Sequence, residues 1–255
     1  MDRWFLLLAT LFAALGAVTG VLMLKQGRRS RWTVVWMALA FLAQLGFLSL
    51  RGEARGACPL VGSGEILAFL AWALTLFYLA VGPAYRLSLL GVFSAPLVVL
   101  FQAVALLPGI WVLEPEAVVG TNGWKETHSA MSVMGYGALA LAAVAAVMFL
   151  VLDRQLKSQH LSGGLFRNMP PVRDLLTSMR RLLWIGWVML SIGVVAGFRM
   201  PHGEEANLHL FAALGVWLSY AALLGVIQFR GLTGRQFAKV TVLLFVVSLS
   251  VFVFI

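Results

Sequence analysis

Four histidines, His128, His160, His202 and His209, carry most of the ligand chemistry open to this 255-residue chain. Two of them stand at the front of long apolar stretches. Trp124-Lys125-Glu126-Thr127-His128 leads into an apolar run from Ser129 to Leu152, and Asn207-Leu208-His209 opens a second run with the same layout. At a helix N-terminus the dipole disfavours imidazolium, and a neutral ring keeps a nitrogen lone pair for a metal. Two such rings at one depth on neighbouring helices, with Trp111, Trp124, Tyr136 and Trp217 nearby, can hold a haem iron from both faces. The alternative is that each is an ordinary polar residue at a lipid interface. His160 falls in a basic loop and reads as a solvated surface residue. Arg199, close to Glu204 and Glu205, either pairs with them or meets an anionic group such as a haem propionate.

Other chemistries have little support. The chain contains no Walker loop, no HExxH and no GxSxG. The single cysteine, Cys58, has no intramolecular disulfide partner, and the dipeptide Cys58-Pro59 is too short to read as a haem-responsive motif. Glu65, Gln44, Gln102 and Gln228 are the notable polar groups inside apolar runs. Glu65 reads as a solvated cap at the outer end of its helix.

The elements that position these residues follow from composition. The chain is 61% hydrophobic and 11% charged, with a mean hydropathy of +0.93, whereas a soluble domain is about a quarter charged. The apolar residues fall in runs of about twenty, the length that crosses a bilayer as helix. Only helices and closed barrels satisfy the backbone in lipid, and unbroken runs are not the alternating pattern of a barrel. The fold class is all-α: a polytopic membrane protein, one integral membrane domain over residues 1–255. Eight transmembrane helices are predicted, at Trp4–Leu24, Trp32–Leu50, Glu65–Val81, Leu87–Leu107, His128–Leu152, Leu182–Met200, Leu208–Phe229 and Phe237–Ile255. The first is too long, and too basic downstream, for a signal peptide, and reads as uncleaved.

A net charge of +9 raises the question of nucleic acid. The basic residues sit instead in short alternate loops, the positive-inside pattern, so the partner is the lipid bilayer. Lys25, Arg28, Arg29 and Arg31 follow the first span, Arg86 the third, and Arg230 and Arg235 the seventh. The fifth is followed by Arg154, Lys157, Arg167, Arg173, Arg180 and Arg181. The intervening loops are neutral or acidic, so both termini lie outside, with His128, His202 and His209 on the outer side. The longest cytoplasmic loop is 153–181. Its Val172–Leu183 segment reads as a helix with Leu175, Leu176, Met179 and Leu183 on one face. It serves either as a connector lying on the membrane or as a docking site for a soluble partner.

The stretch from His128 through Gly135-Tyr136 resembles the conserved-histidine helix of the cytochrome c assembly protein family, which includes CcsA, CcmC and HemX/YpjD-like members. The resemblance continues through Leu152-Asp153-Arg154-Gln155-Leu156-Lys157, Pro170-Pro171 and Arg180-Arg181-Leu182-Leu183. It resumes at Trp217-Leu218-Ser219-Tyr220-Ala221 and at Arg230-Gly231-Leu232-Thr233-Gly234-Arg235, and so covers residues 124–255. Haem-handling members carry a tryptophan-rich segment before the helix that here begins near Leu208. In this chain the segment from Arg199 to His209 holds no tryptophan, which points to the compact HemX/YpjD-like branch rather than a full synthetase.

The resemblance implies a bacterial inner-membrane protein that binds or hands over haem b near the outer face during cytochrome c biogenesis. It implies axial ligation by His128 and His209, with His202 as the alternative second ligand, and Tyr136, Trp124 and Arg199 beside the cofactor. It implies other biogenesis proteins as partners and no enzymatic activity by the chain alone, ligation needing a partner that brings the apocytochrome. The rival reading is a membrane scaffold that holds a soluble enzyme of tetrapyrrole synthesis on loop 153–181. A secondary transporter would show repeated halves with broken helices, and the sequence has neither.

Overall fold

The computed structural model describes residues 2–26, 31–60, 62–84, 89–110, 117, 120, 122–157, 171–200 and 206–250, without the side chains of 82–84 and 206–210. Eight helices are described: α1 (Asp2–Lys25), α2 (Arg31–Arg55), α3 (Ser63–Ala84), α4 (Leu90–Ala105), α5 (Gly123–Lys157), α6 (Val172–Arg199), α7 (Ala206–Phe229) and α8 (Gly234–Leu249). Six of them, α1–α3 and α5–α7, are long and apolar enough to cross a membrane. At 16 residues each, α4 and the described part of α8 reach only about 24 Å, short of the ~30 Å hydrocarbon core. Among the described residues there are no strands.

α1 to α4 form a ring in which each helix packs on the next and α4 closes back on α1. α5 is the hub. It packs most extensively on α6 and also meets α3, α4 and α8, while α7 packs chiefly on α6. Burial explains this centrality: from Gly135 to Ala146 every residue of α5 is buried, most of them alanine or glycine. In lipid, small side chains let helix backbones approach and gain dispersion and hydrogen bonding, since apolar burial alone gives no drive there. At Gly137 an added Cβ would overlap Ala73 of α3 and come 3.0 Å from its backbone carbon, so the α3–α5 approach requires glycine.

Three sequence expectations are revised. α5 starts at Gly123, five residues before the predicted span, where the Asn122 side chain accepts the Trp124 N–H at 3.0 Å. His128 therefore stands in the second turn, beyond the turn where the helix dipole acts. The segment Val172–Leu183 is not a separate connector but the first part of α6, which runs unbroken to Arg199. Its apolar face was read correctly, but Leu175, Met179 and Leu183 bury that face in the protein core rather than on a membrane surface. Glu65 is not a solvated cap either. Its side chain is 6% exposed and its Oε1 lies 3.5 Å from Nη1 of Arg51, a guanidinium that is itself buried.

The turn Arg230-Gly231-Leu232-Thr233-Gly234-Arg235 has a local reason for its sequence. The Arg230 and Gly231 N–H groups both return to the Val226 carbonyl to close α7. Thr233 then caps α8 in a reciprocal box with Gln236, which satisfies donors at the helix start. Arg235 reaches Asp153 of α5 at 3.7 Å, a carboxylate shared with Lys157 at 3.0 Å.

Candidate functional site

The start of α5, the end of α6 and the first half of α7 enclose the site that the sequence singled out. His128 is half-buried on α5, with Nδ1 2.7 Å from the Gly193 carbonyl oxygen of α6. One turn earlier on α5, the Trp124 indole lies under the Arg199 guanidinium, 5.6 Å from its centroid. Such cation–π pairs contribute about 0.5–1 kcal/mol at exposed sites. Glu204 and Glu205, the expected partners of Arg199, lie outside the described residues.

Beside His128 a cleft of about 480 Å³ opens between the three helices. Trp124 and Thr127 line it from α5, Trp217 from α7, and Trp187, Ser191 and Val195 from α6. The α6 residues recur every four positions, one stripe of a helix. The indoles are fixed in place: Trp187 and Trp217 stack at 5.4 Å and 22°, and Trp184 meets Trp187 edge-on at 5.6 Å. Trp217 donates Nε1–H to Ser191 Oγ at 2.7 Å, and that hydroxyl donates to the Trp187 carbonyl at 2.7 Å. The Trp187 Nε1–H is buried and has no hydrogen-bond partner among the described residues. The volume falls within the range of small-molecule and cofactor sites, about 300–1,000 Å³.

The sequence-predicted residues are distributed unevenly around this cleft. Trp124 and Trp217 line it and Arg199 covers Trp124, while His128 follows the lining residue Thr127 in the chain, is not itself in the lining, and turns its Nδ1 to the Gly193 carbonyl. Tyr136 lies two turns further along α5, where its buried hydroxyl donates to the Ser248 carbonyl of α8 at 3.2 Å. His209 is in the first turn of α7, but its side chain, like His202, His160 and Trp111 entirely, lies outside the described residues. The helices of His128 and His209 are bridged by α6, where sequence reading had treated them as neighbours. Trp187 and Gly193 escaped the sequence reading altogether. Their signal was faint: Trp187, Ser191 and Val195 share one stripe, and Gly186 and Gly193 stand seven apart, two turns of helix.

A second polar cluster occupies the same end of the molecule. Arg51, at the end of α2, lies 2.6 Å from Asp2 of α1 and 3.5 Å from Glu65 of α3. Deeper in the ring, Gln44 donates to Thr75 Oγ1 at 3.4 Å. Cys58, in the turn after α2, is a half-buried free thiol. Burial pushes its pKa above the ordinary thiol value; Glu126 and Glu65 add to this and Arg55 opposes it.

Comparison with known proteins agrees with the resemblance at the level of the family and extends it along the chain, with relatives named CcsA rather than members of the HemX/YpjD-like branch. A model of the cytochrome C assembly protein family matches residues 60–254, and so takes in α3 and α4 as well as the second half. The chain is 27% identical over 234 residues to the cytochrome c biogenesis protein CcsA of Synechococcus sp. (strain CC9902), covering 81% of this chain and 77% of that protein. It is 25% identical over 252 residues to CcsA of Prochlorococcus marinus (strain MIT 9303), covering 86% and 79%. With CcsA of Trichormus variabilis the identity is 30% over 139 residues, covering 52% and 40%. Matched over three-quarters of its length, and with six helices long and apolar enough to cross a membrane among those described, the chain belongs to the cytochrome c assembly protein family.

Proposed function

We propose that this protein binds haem near the outer face of a bacterial inner membrane and hands it over during cytochrome c assembly, the process that its relatives' name, cytochrome c biogenesis protein CcsA, gives. The observation that carries this reading is the tryptophan-walled cleft at the start of α5, with Arg199 over Trp124 and His128 directly after the lining Thr127. The residues fit the group. Stacked indoles give a flat apolar wall, and a guanidinium suits a propionate. His128 would supply one imidazole to the iron, and His209, with His202 as the alternative, would supply the second. The redox chemistry belongs to the haem b iron itself. The chain's own residues bind, orient and shield from water, and any ligation needs a partner that carries the apocytochrome. A chain with no tryptophan between Arg199 and His209 suits the compact HemX/YpjD-like branch. Both termini and the cleft lie on the outer side in this reading, following the basic loops.

The test is an absorption spectrum of the detergent-solubilised protein, alone and with added haem, beside His128→Ala and His209→Ala. A low-spin bis-histidine Soret band in the wild type, lost in both variants, is expected. A protein that stays colourless with excess haem sinks the proposal.

One observation favours the rival reading, a scaffold for a soluble tetrapyrrole-synthesis enzyme. α5 and α6 hold 35 and 28 residues, against about twenty needed to span. They carry exposed Arg154, Lys157, Arg173 and Arg180 at the ends that would project on the cytoplasmic side. Charge reversal there would abolish a scaffold function and spare haem uptake.

A further inference from the structure

The contact between His128 and Gly193 bears on which ring nitrogen faces a ligand. A carbonyl oxygen only accepts, so at 2.7 Å from the Gly193 oxygen the Nδ1 of His128 carries the proton. In the neutral ring the lone pair then resides on Nε2. The contact depends on how closely α5 and α6 approach, and that approach depends on residue 193 having no side chain. A Cβ there would stand 2.6 Å from Ser132 Oγ, 3.3 Å from the Ser132 nitrogen and 3.4 Å from the His128 carbonyl oxygen. A Cβ that close to a non-bonded atom forces a shift: the Ser132 hydroxyl must rotate away, and the tight contacts with the Ser132 nitrogen and the His128 carbonyl press α6 outward from α5.

We propose that Gly193 is the positioning residue for His128: its carbonyl fixes the Nδ1–H tautomer and presents Nε2 as the ligand nitrogen. This inference rests on the haem reading only for the identity of the ligand. Protein groups that hold the far nitrogen of a ligating histidine set both its tautomer and its basicity, and losing them typically lowers metal affinity about 10–100-fold. Gly193 touches no ligand in this account. It acts through His128 alone.

The experiment uses the full chain in lipid bicelles with 15N-labelled histidine and no haem, at a pH about two units above the free imidazole value. The His128 resonances are identified by their loss in His128→Gln. The wild type is expected to show a protonated Nδ1 and an unprotonated Nε2. Gly193→Ala should lose that preference, and Gly193→Ala with Ser132→Gly, which removes the nearest clash, should recover it. Haem titration of the same three proteins should follow, with affinity about 10–100-fold weaker in Gly193→Ala and largely restored in the double variant. A wild-type ring protonated on Nε2, or a tautomer unchanged by Gly193→Ala, overturns the inference. Wild type with the expected tautomer but no haem uptake leaves the positioning role standing and overturns the haem proposal instead.

Discussion

The Arg51 guanidinium sits 2.6 Å from the Asp2 carboxylate, which ties the last turn of α2 to the start of α1, and the same group reaches Glu65 of α3 at 3.5 Å. Arg51 is 1% exposed and also lies over the Phe47 ring. One buried cation therefore meets carboxylates from two neighbouring helices. Arg51→Ala removes the guanidinium from both carboxylates, and removing one partner of a buried pair such as Arg51–Glu65 costs about 3–5 kcal/mol. Arg51→Met combined with Asp2→Asn and Glu65→Gln removes charge from all three and should lose much less. Thermal unfolding in detergent measures both, and equal losses in the two proteins would refute the ion-pair account.

Packing between α3 and α5 is the second test. Gly137→Ala places a methyl group against Ala73 and its backbone, and overpacking of this kind costs about 1–3 kcal/mol. Ala73→Gly in the same protein should return part of that loss in the unfolding midpoint. A neutral Gly137→Ala would mean that the two helices are further apart than described.

Tyr136 offers a separation of structure from ligand binding. Its hydroxyl is engaged with the Ser248 carbonyl, and interhelical hydrogen bonds in membranes average about 0.6 kcal/mol. Tyr136→Phe should lower the unfolding midpoint slightly and leave haem uptake unchanged. Loss of the Soret band in that variant would restore Tyr136 to the cofactor site.

Cys58 makes a prediction about reactivity and pH. Burial, with help from Glu126 and Glu65, holds the thiol protonated to higher pH than usual, and the thiolate is the species that reacts. Alkylation by iodoacetamide at neutral pH should be slow, and its rate should rise through a midpoint above the ordinary thiol value. Glu126→Gln removes a charge that disfavours thiolate. The pKa should then fall and the neutral-pH rate rise a few-fold; a slower reaction would contradict the electrostatic assignment.

Much of the helical order was legible because it depends on single-residue properties that accumulate along the chain. Runs of about twenty apolar residues mark spans wherever they occur, so α1, α2, α3, α5 and α7 were found within about five residues of their ends, whereas α6 begins ten residues before its predicted span. Val172–Leu183 shows where that reasoning stops. An amphipathic stripe has the same period whether it faces lipid headgroups or α5, and only the packing of Leu175 and Met179 in the core decides between them.

By itself the sequence determined the fold class, the family and the residue types at the candidate site: His128, Trp124, Trp217 and Arg199. Tertiary structure decided how they meet. It set α6 between the helices of the two histidines and put Trp187 into the cleft wall. It also joined Arg51 to Glu65 across 14 residues, and His128 to Gly193 across 65. The physical reason is the range of the forces. Hydropathy and helix period act along a few turns of chain, whereas a hydrogen bond or ion pair requires atoms within about 3–4 Å, and that distance exists only once the helices have packed.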